Sequence, residues 1–181
     1  PEAAPGLLWV SPWIVGTILF LFVPMIMAAN FSFADYSLLE PPVPIGLENY
    51  AEIARDAVFW TALRNTLVYA VFSVILGTAA AVGLAVLLEQ RLRGRGLVRA
   101  LVFLPTLIPI VAASIGWMWL YNGQFGLFNS VLGAIGVRGP DWLGSKAFAM
   151  PSLIFMGLWF IGSAVVINTA ALRDVPAALY E

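Results

Sequence analysis

Cysteine and histidine are both absent from this 181-residue chain, and Lys146 is its one lysine. Without thiols there is no disulfide and no cysteine nucleophile; without imidazole there is no Ser-His-Asp triad and none of the usual zinc or haem ligand sets. A Gly-rich phosphate loop is missing too, so the chain is not built for chemistry on a substrate. Charge is scarce as well. Nine basic and ten acidic side chains make up 10% of the residues, and four windows, 3–34, 65–88, 100–137 and 147–172, contain none of them. Each window exceeds the roughly 20 residues that a helix rising about 1.5 Å per residue needs to cross the hydrocarbon of a bilayer. With 61% hydrophobic residues and a mean hydropathy of +0.93, too little polar surface remains to solvate a globule of this size. The sequence predicts an all-α membrane protein with four transmembrane helices.

The segments between the windows set an orientation. Residues 89–99 carry Arg91, Arg93, Arg95 and Arg99 against Glu89, whereas residues 35–64 carry Asp35, Glu40, Glu48, Glu52 and Asp56 against Arg55 and Arg64. Short arginine-rich loops are retained inside. This places 89–99 in the cytoplasm, the acidic loop and the 138–146 loop outside, and both termini in the cytoplasm. A net charge of −1 conceals this segregation and gives no reason to expect nucleic acid as a partner. The chain begins at Pro1 without Met and lacks the basic leader of a signal peptide, so it reads as part of something longer.

Local anatomy follows from prolines, aromatics and small residues. The first span, about 7–29, has Trp9 and Trp13 at one end and Phe31, Phe33 and Tyr36 at the other, with Pro24 deep enough to kink it. Three prolines in 40–46 predict a loop, and a short amphipathic helix is expected over about 47–63. The second span, about 65–88, starts at the capping residues Asn65 and Thr66 and carries Ser73, Gly77, Ala81 and Ala85 at four-residue spacing. Such a stripe lets another helix approach closely, although Ala and Gly are frequent in membrane helices in any case. The third span, 97–121, is expected to be bent or interrupted at Pro105 and Pro109 and to end on Trp117, Trp119 and Tyr121. Leu127, Phe128, Val131, Leu132 and Ile135 then recur with helical period. The fourth span, about 152–172, contains Trp159 and Asn168, the latter read first as an interhelical hydrogen-bonding group. No acid or base falls inside a span, so no ion-coupling group is on offer and energy for pumping has to come from elsewhere.

Residues 174–181, Asp-Val-Pro-Ala-Ala-Leu-Tyr-Glu, follow directly on the fourth span. With Leu172, they resemble the start of the cytoplasmic EAA loop of bacterial binding-protein-dependent ABC importers of the carbohydrate-uptake group. Taken alone, the stretch is also a short juxtamembrane helix with Pro176 in its first turn. Three further stretches are similar to that family in order and spacing: Gly46 to Tyr50 with Phe59, Trp60, Leu63, Asn65 and Thr66; Leu104 and Pro105 through Trp117 and Trp119 to Gly126 and Asn129; and Trp159 in the fourth span.

The resemblance implies four of the six spans of a MetI-like ABC permease subunit in a bacterial plasma (inner) membrane, truncated within the EAA loop. Residues 1–61 are then the first helix with an external loop, and 62–181 the N-terminal part of the permease core domain. Asp174, Val175, Pro176, Leu179, Tyr180 and Glu181 are implied to begin the ATPase-coupling loop. Trp117, Trp119, Asn122, Trp159 and Asn168 are candidate contacts along the translocation path; each is also an ordinary interface or packing residue, and the outer tryptophans are read first that way. Ser73, Gly77, Ala81 and Ala85 are the candidate helix-packing stripe. The implied partners are a second permease subunit, a pair of ATPase subunits, a solute-binding protein and the lipid bilayer. No cofactor or metal is expected in this chain, ATP and magnesium belonging to the ATPase partner. The cargo is expected to be a sugar or related polyol. A fragment of a secondary carrier or channel is the alternative.

Overall fold

The structure, a computed structural model, describes residues 3–90, 94–174 and 176. Two compact units divide the chain, Pro1–Ala62 and Leu63–Glu181.

In the first unit, helix α1 (Ala3–Thr17) runs through a π-helical turn, Ile18–Phe22, into α2 (Val23–Phe31). The wide turn closes with Val23 N–H donating to Ile18 O, one residue before Pro24. The π turn stands directly before Pro24, where the ring removes a backbone donor and crowds the preceding turn. A two-residue antiparallel ladder follows, β1 (Ala34–Asp35) with β2 (Val43–Pro44), where the sequence had predicted only loop. Helix α3 (Glu48–Arg55) is tied back to the end of α2. Asn49 Nδ2 donates to Ser32 O and Ala34 O at 3.0 and 3.1 Å, and Ser32 Oγ and Tyr50 OH share a hydrogen bond of 2.6 Å.

The amphipathic helix expected over 47–63 stops short at Arg55. Asp56 is extended (ψ 113°), and its carboxylate accepts from Val58 N–H at 2.8 Å, which makes it the N-cap of α4 (Ala57–Glu89). The second long helix therefore starts eight residues before Asn65. At about 1.5 Å per residue, its 33 residues run to about 50 Å, longer than a hydrocarbon core of roughly 30 Å.

The second unit continues with α5 (Arg95–Phe103), a 3₁₀ turn (Leu104–Leu107), α6 (Ile110–Leu120), α7 (Leu127–Ala134), α8 (Ala149–Leu158) and α9 (Gly162–Arg173). The segment expected to bend or break at its prolines over 97–121 is two pieces turned by 103°. Ile108 precedes Pro109, whose ring excludes the helical region for its neighbour; both are extended, and the chain turns there. α8 and α9 meet at 50° across Trp159, Phe160 and Ile161, a break without a proline. By length and composition, Leu8–Phe31 and Ala57–Glu89 can each cross a bilayer, and the two bent pairs make up to four spans if each pair acts as one.

α4 and α9 share the best-buried core. Ala81 and Ala85 are fully buried, and Leu88 and Val165 are nearly so, with Leu84, Val102 and Ile161 packed alongside. Gly162 sits so close to the end of α5 that a Cβ there would lie 2.5 Å from Val102 O and 2.9 Å from Phe103 Cα. Only glycine permits that approach, and it fixes α9 against the broken segment.

Candidate functional site

The candidate coupling residues begin where α9 ends. Arg173 is its last residue, Asp174 its C-cap, and Pro176 lies two positions on. Val175, Leu179, Tyr180 and Glu181 lie outside the described residues. Beside this point, Glu89 at the end of α4 accepts a hydrogen bond from Arg173 Nε at 2.9 Å. Sequence reading treated Glu89 only as a minor acid in a basic loop, because a partner 84 positions away leaves no local pattern.

The five path candidates are placed differently from one another. Trp117 is 8% exposed and forms the centre of an aromatic cluster, its ring 5.3 to 6.0 Å from those of Tyr121, Phe128, Phe155 and Trp159. Trp119, two positions on and therefore on another face, is exposed. Asn122 is turned onto its own loop, its Oδ1 accepting from Gln124 N–H and Phe125 N–H. Trp159 stands at the α8–α9 break with its ring edge-on to Trp117 and partly open. Asn168 Nδ2 donates to Ala164 O of its own helix at 2.8 Å, and among the described residues it bridges no second helix. The stripe on α4 is graded: Ala81 and Ala85 are buried, a Cβ on Gly77 would lie 3.9 Å from Ile161 Cγ2, and Ser73 Oγ is buried without a partner among the described residues.

Asn129 was quoted in the sequence only as part of a resemblance, yet it organises the loop after α6. Its Nδ2 donates to Gly123 O and Pro140 O at 2.9 and 3.1 Å, and its Oδ1 accepts from Trp142 Nε1 at 2.7 Å. Ser152 Oγ donates to Trp142 O, and Tyr121 OH to Ser152 O, which closes the clasp between this loop and α8. A groove of about 780 Å³ opens nearby, lined by Phe72, Leu76, Phe128, Trp142 and Phe155 among others. None of the five path candidates lines it, and its two hydroxyl protons, on Tyr121 and Ser152, are already committed. Such a wall suits apolar groups and not a sugar. No cluster of potential metal ligands occurs among the described residues.

The chain is similar to a trehalose/maltose transport system permease protein of Thermococcus litoralis, 30% identical over 182 residues, covering 99% of this chain and 62% of that one. A diacetylchitobiose uptake permease of Streptomyces coelicolor is also 30% identical, over 91% of this chain and 50% of its own length. Among solved structures, a bacterial ABC transporter involved in import of the acidic polysaccharide alginate superposes with a TM-score of 0.82 at 25% identity, covering 98% of this chain and 61% of that one. The chain thus spans about half to three fifths of the length of these relatives. No protein-family model matches it.

Proposed function

The chain belongs to the ABC transporter permeases, and from that premise we propose that it forms part of the membrane path of an importer for a sugar or related polyol. The observation that carries this reading is the 30% identity to the trehalose/maltose permease over 99% of the chain. The uptake of saccharides by all three relatives supports the cargo class. In this reading the protein is a multi-pass subunit of the plasma (inner) membrane with four spans and both ends cytoplasmic, residues 1–61 preceding a permease core that begins at 62. It catalyses nothing itself. A pair of ATPase subunits binds ATP and magnesium, a second permease subunit completes the path, and an external solute-binding protein delivers the cargo.

The residues contribute in stated ways. Spans without charge leave cargo transfer to aromatic faces and neutral hydrogen-bonding groups, as sugars require. Trp159 sits at a helix break, where unpaired backbone groups persist in a membrane only beside a cavity or other protein. Trp119 and Asn168 join it as path residues, while Trp117 holds Trp159 in place. Asp174, Val175, Pro176, Leu179, Tyr180 and Glu181 lead the chain into the ATPase. Ser73, Gly77, Ala81 and Ala85 pack α4 against its neighbours.

Reconstitution tests the proposal. The full-length permease, with its partner permease, ATPase pair and solute-binding protein in proteoliposomes, is expected to take up sugar only with ATP and loaded binding protein. Uptake driven by an ion gradient without ATP would make the chain part of a secondary carrier instead.

A further inference from the structure

Three guanidinium groups converge on one carboxylate oxygen. Arg173 Nε lies 2.9 Å from Glu89 Oε1, and Arg99 and Arg95 approach the same oxygen at 3.7 and 3.9 Å. Glu89 closes α4, Arg95 and Arg99 belong to the first half of α5, and Arg173 closes α9. The adjoining ends of α4 and α5 therefore meet the remote end of α9 at one side chain. Topology explains the arginines but not the glutamate, since retention of short loops counts Lys and Arg and is nearly indifferent to acids. Glu89 is also the only acid in ion-pair contact with Arg99 among the described residues, and Arg99 Nη2 is buried there without a hydrogen bond.

The three contacts are not equivalent. Only Arg173 donates a hydrogen bond, and a charge-assisted bond fixes direction as well as distance. The side chains of Glu89 and Arg173 are 27% and 48% exposed, so their pairing adds little to global stability. What it determines is where the last turn of α9 points. Asp174 and Pro176 come next, and a proline has no N–H with which to extend the helix inward. We infer that Glu89 is a positioning residue for ATPase coupling: it locks the end of α9 to the ends of α4 and α5 and so sets the path of the chain into the coupling loop. This rests on the permease reading above.

The test uses the full-length permease assembled with its partners, in three forms: Glu89→Gln, Arg173→Gln, and the two together, a cycle that leaves Arg95 and Arg99 in place. One readout is binding-protein-stimulated ATP hydrolysis set against basal hydrolysis. The other, independent of transport, is the distance distribution between spin labels on cysteines placed at Val74 and Ala171. Glu89→Gln should cut stimulated hydrolysis roughly fivefold, the scale of losing a charge-assisted bond between partly exposed groups, and leave basal hydrolysis unchanged. It should also broaden the label distance, and the double variant should be no worse than Glu89→Gln alone, because the two side chains act through one bond. Native stimulation with a native distance in Glu89→Gln overturns the inference, as do losses in the double variant that simply add those of the two single variants. If the wild-type assembly shows no stimulation, the permease reading fails, and the label distances still decide whether Glu89 anchors α9.

Discussion

At the scale of single residues, the positions that hold this chain together are small or neutral. Gly162 matters because nothing lies between its Cα and the backbone of Val102 and Phe103. Gly162→Ala puts a methyl group against backbone that cannot swing away, and overpacking of this kind costs about 1–3 kcal/mol. The expected result is a lower thermal midpoint in detergent, measured by intrinsic fluorescence, whereas Gly116→Ala, with open space around it, should leave the midpoint unchanged. Asn129 matters through its polarity. Asn129→Leu strands the Trp142 indole N–H and two carbonyls in a half-buried loop, at about 1–3 kcal/mol for unsatisfied groups. Proteolysis between residues 123 and 142 should accelerate in that variant; native resistance would show that the clasp does not order the loop. Neither residue announces itself in the sequence, because a close approach and a three-way clasp depend on chain segments that periodicity does not relate.

At the scale of elements, charge-free windows located helices well and located their breaks poorly. Pro105 and Pro109 marked one break, and its 103° turn follows from the extended backbone before Pro109. The break at Trp159 to Ile161 has no such marker, and the close approach of Gly162 to α5 follows directly after it. Asp56 hid the true start of α4, because a capping aspartate inside an acidic loop looks like any other acid. Spacing places Ser73, Gly77, Ala81 and Ala85 on one face of α4, and Ala81 and Ala85 are buried. Its test belongs to the element as a whole. Gly77→Leu sends a side chain toward Ile161 Cγ2, 3.9 Å from where its Cβ would stand, and should lower the yield of assembled transporter at a cost of about 1–3 kcal/mol. Gly83→Leu, on a face with nothing nearby, should assemble normally. Equal yields from the two variants would put the stripe against lipid.

For the whole molecule, the way the broken third segment meets the bilayer fixes the topology. α6 has 11 residues, about 16 Å at 1.5 Å per residue, roughly half of what the hydrocarbon core requires. α5 carries Arg95 and Arg99 and turns away by 103°, which suits a helix lying along the cytoplasmic surface with its arginines in the headgroup layer. α6 together with its flanking turns then makes the crossing. If the pair instead dipped in and returned, the loops before α5 and after α7 would share one side. Cysteines placed singly at Glu52, Gln90 and Lys146 in this cysteine-free chain separate the cases. With a membrane-impermeant maleimide on intact cells or spheroplasts, Glu52→Cys and Lys146→Cys should label at once and Gln90→Cys only after permeabilisation. Labelling of Gln90→Cys and Lys146→Cys from the same side would make the broken segment re-entrant. Arg173 would then lie on the side opposite Glu89, and since the two share a hydrogen bond, α8 and α9 would also have to cease being a single crossing. The Glu89 to Arg173 contact requires the ends of α4 and α9 to lie on one face, so an even number of crossings between them is the expected outcome.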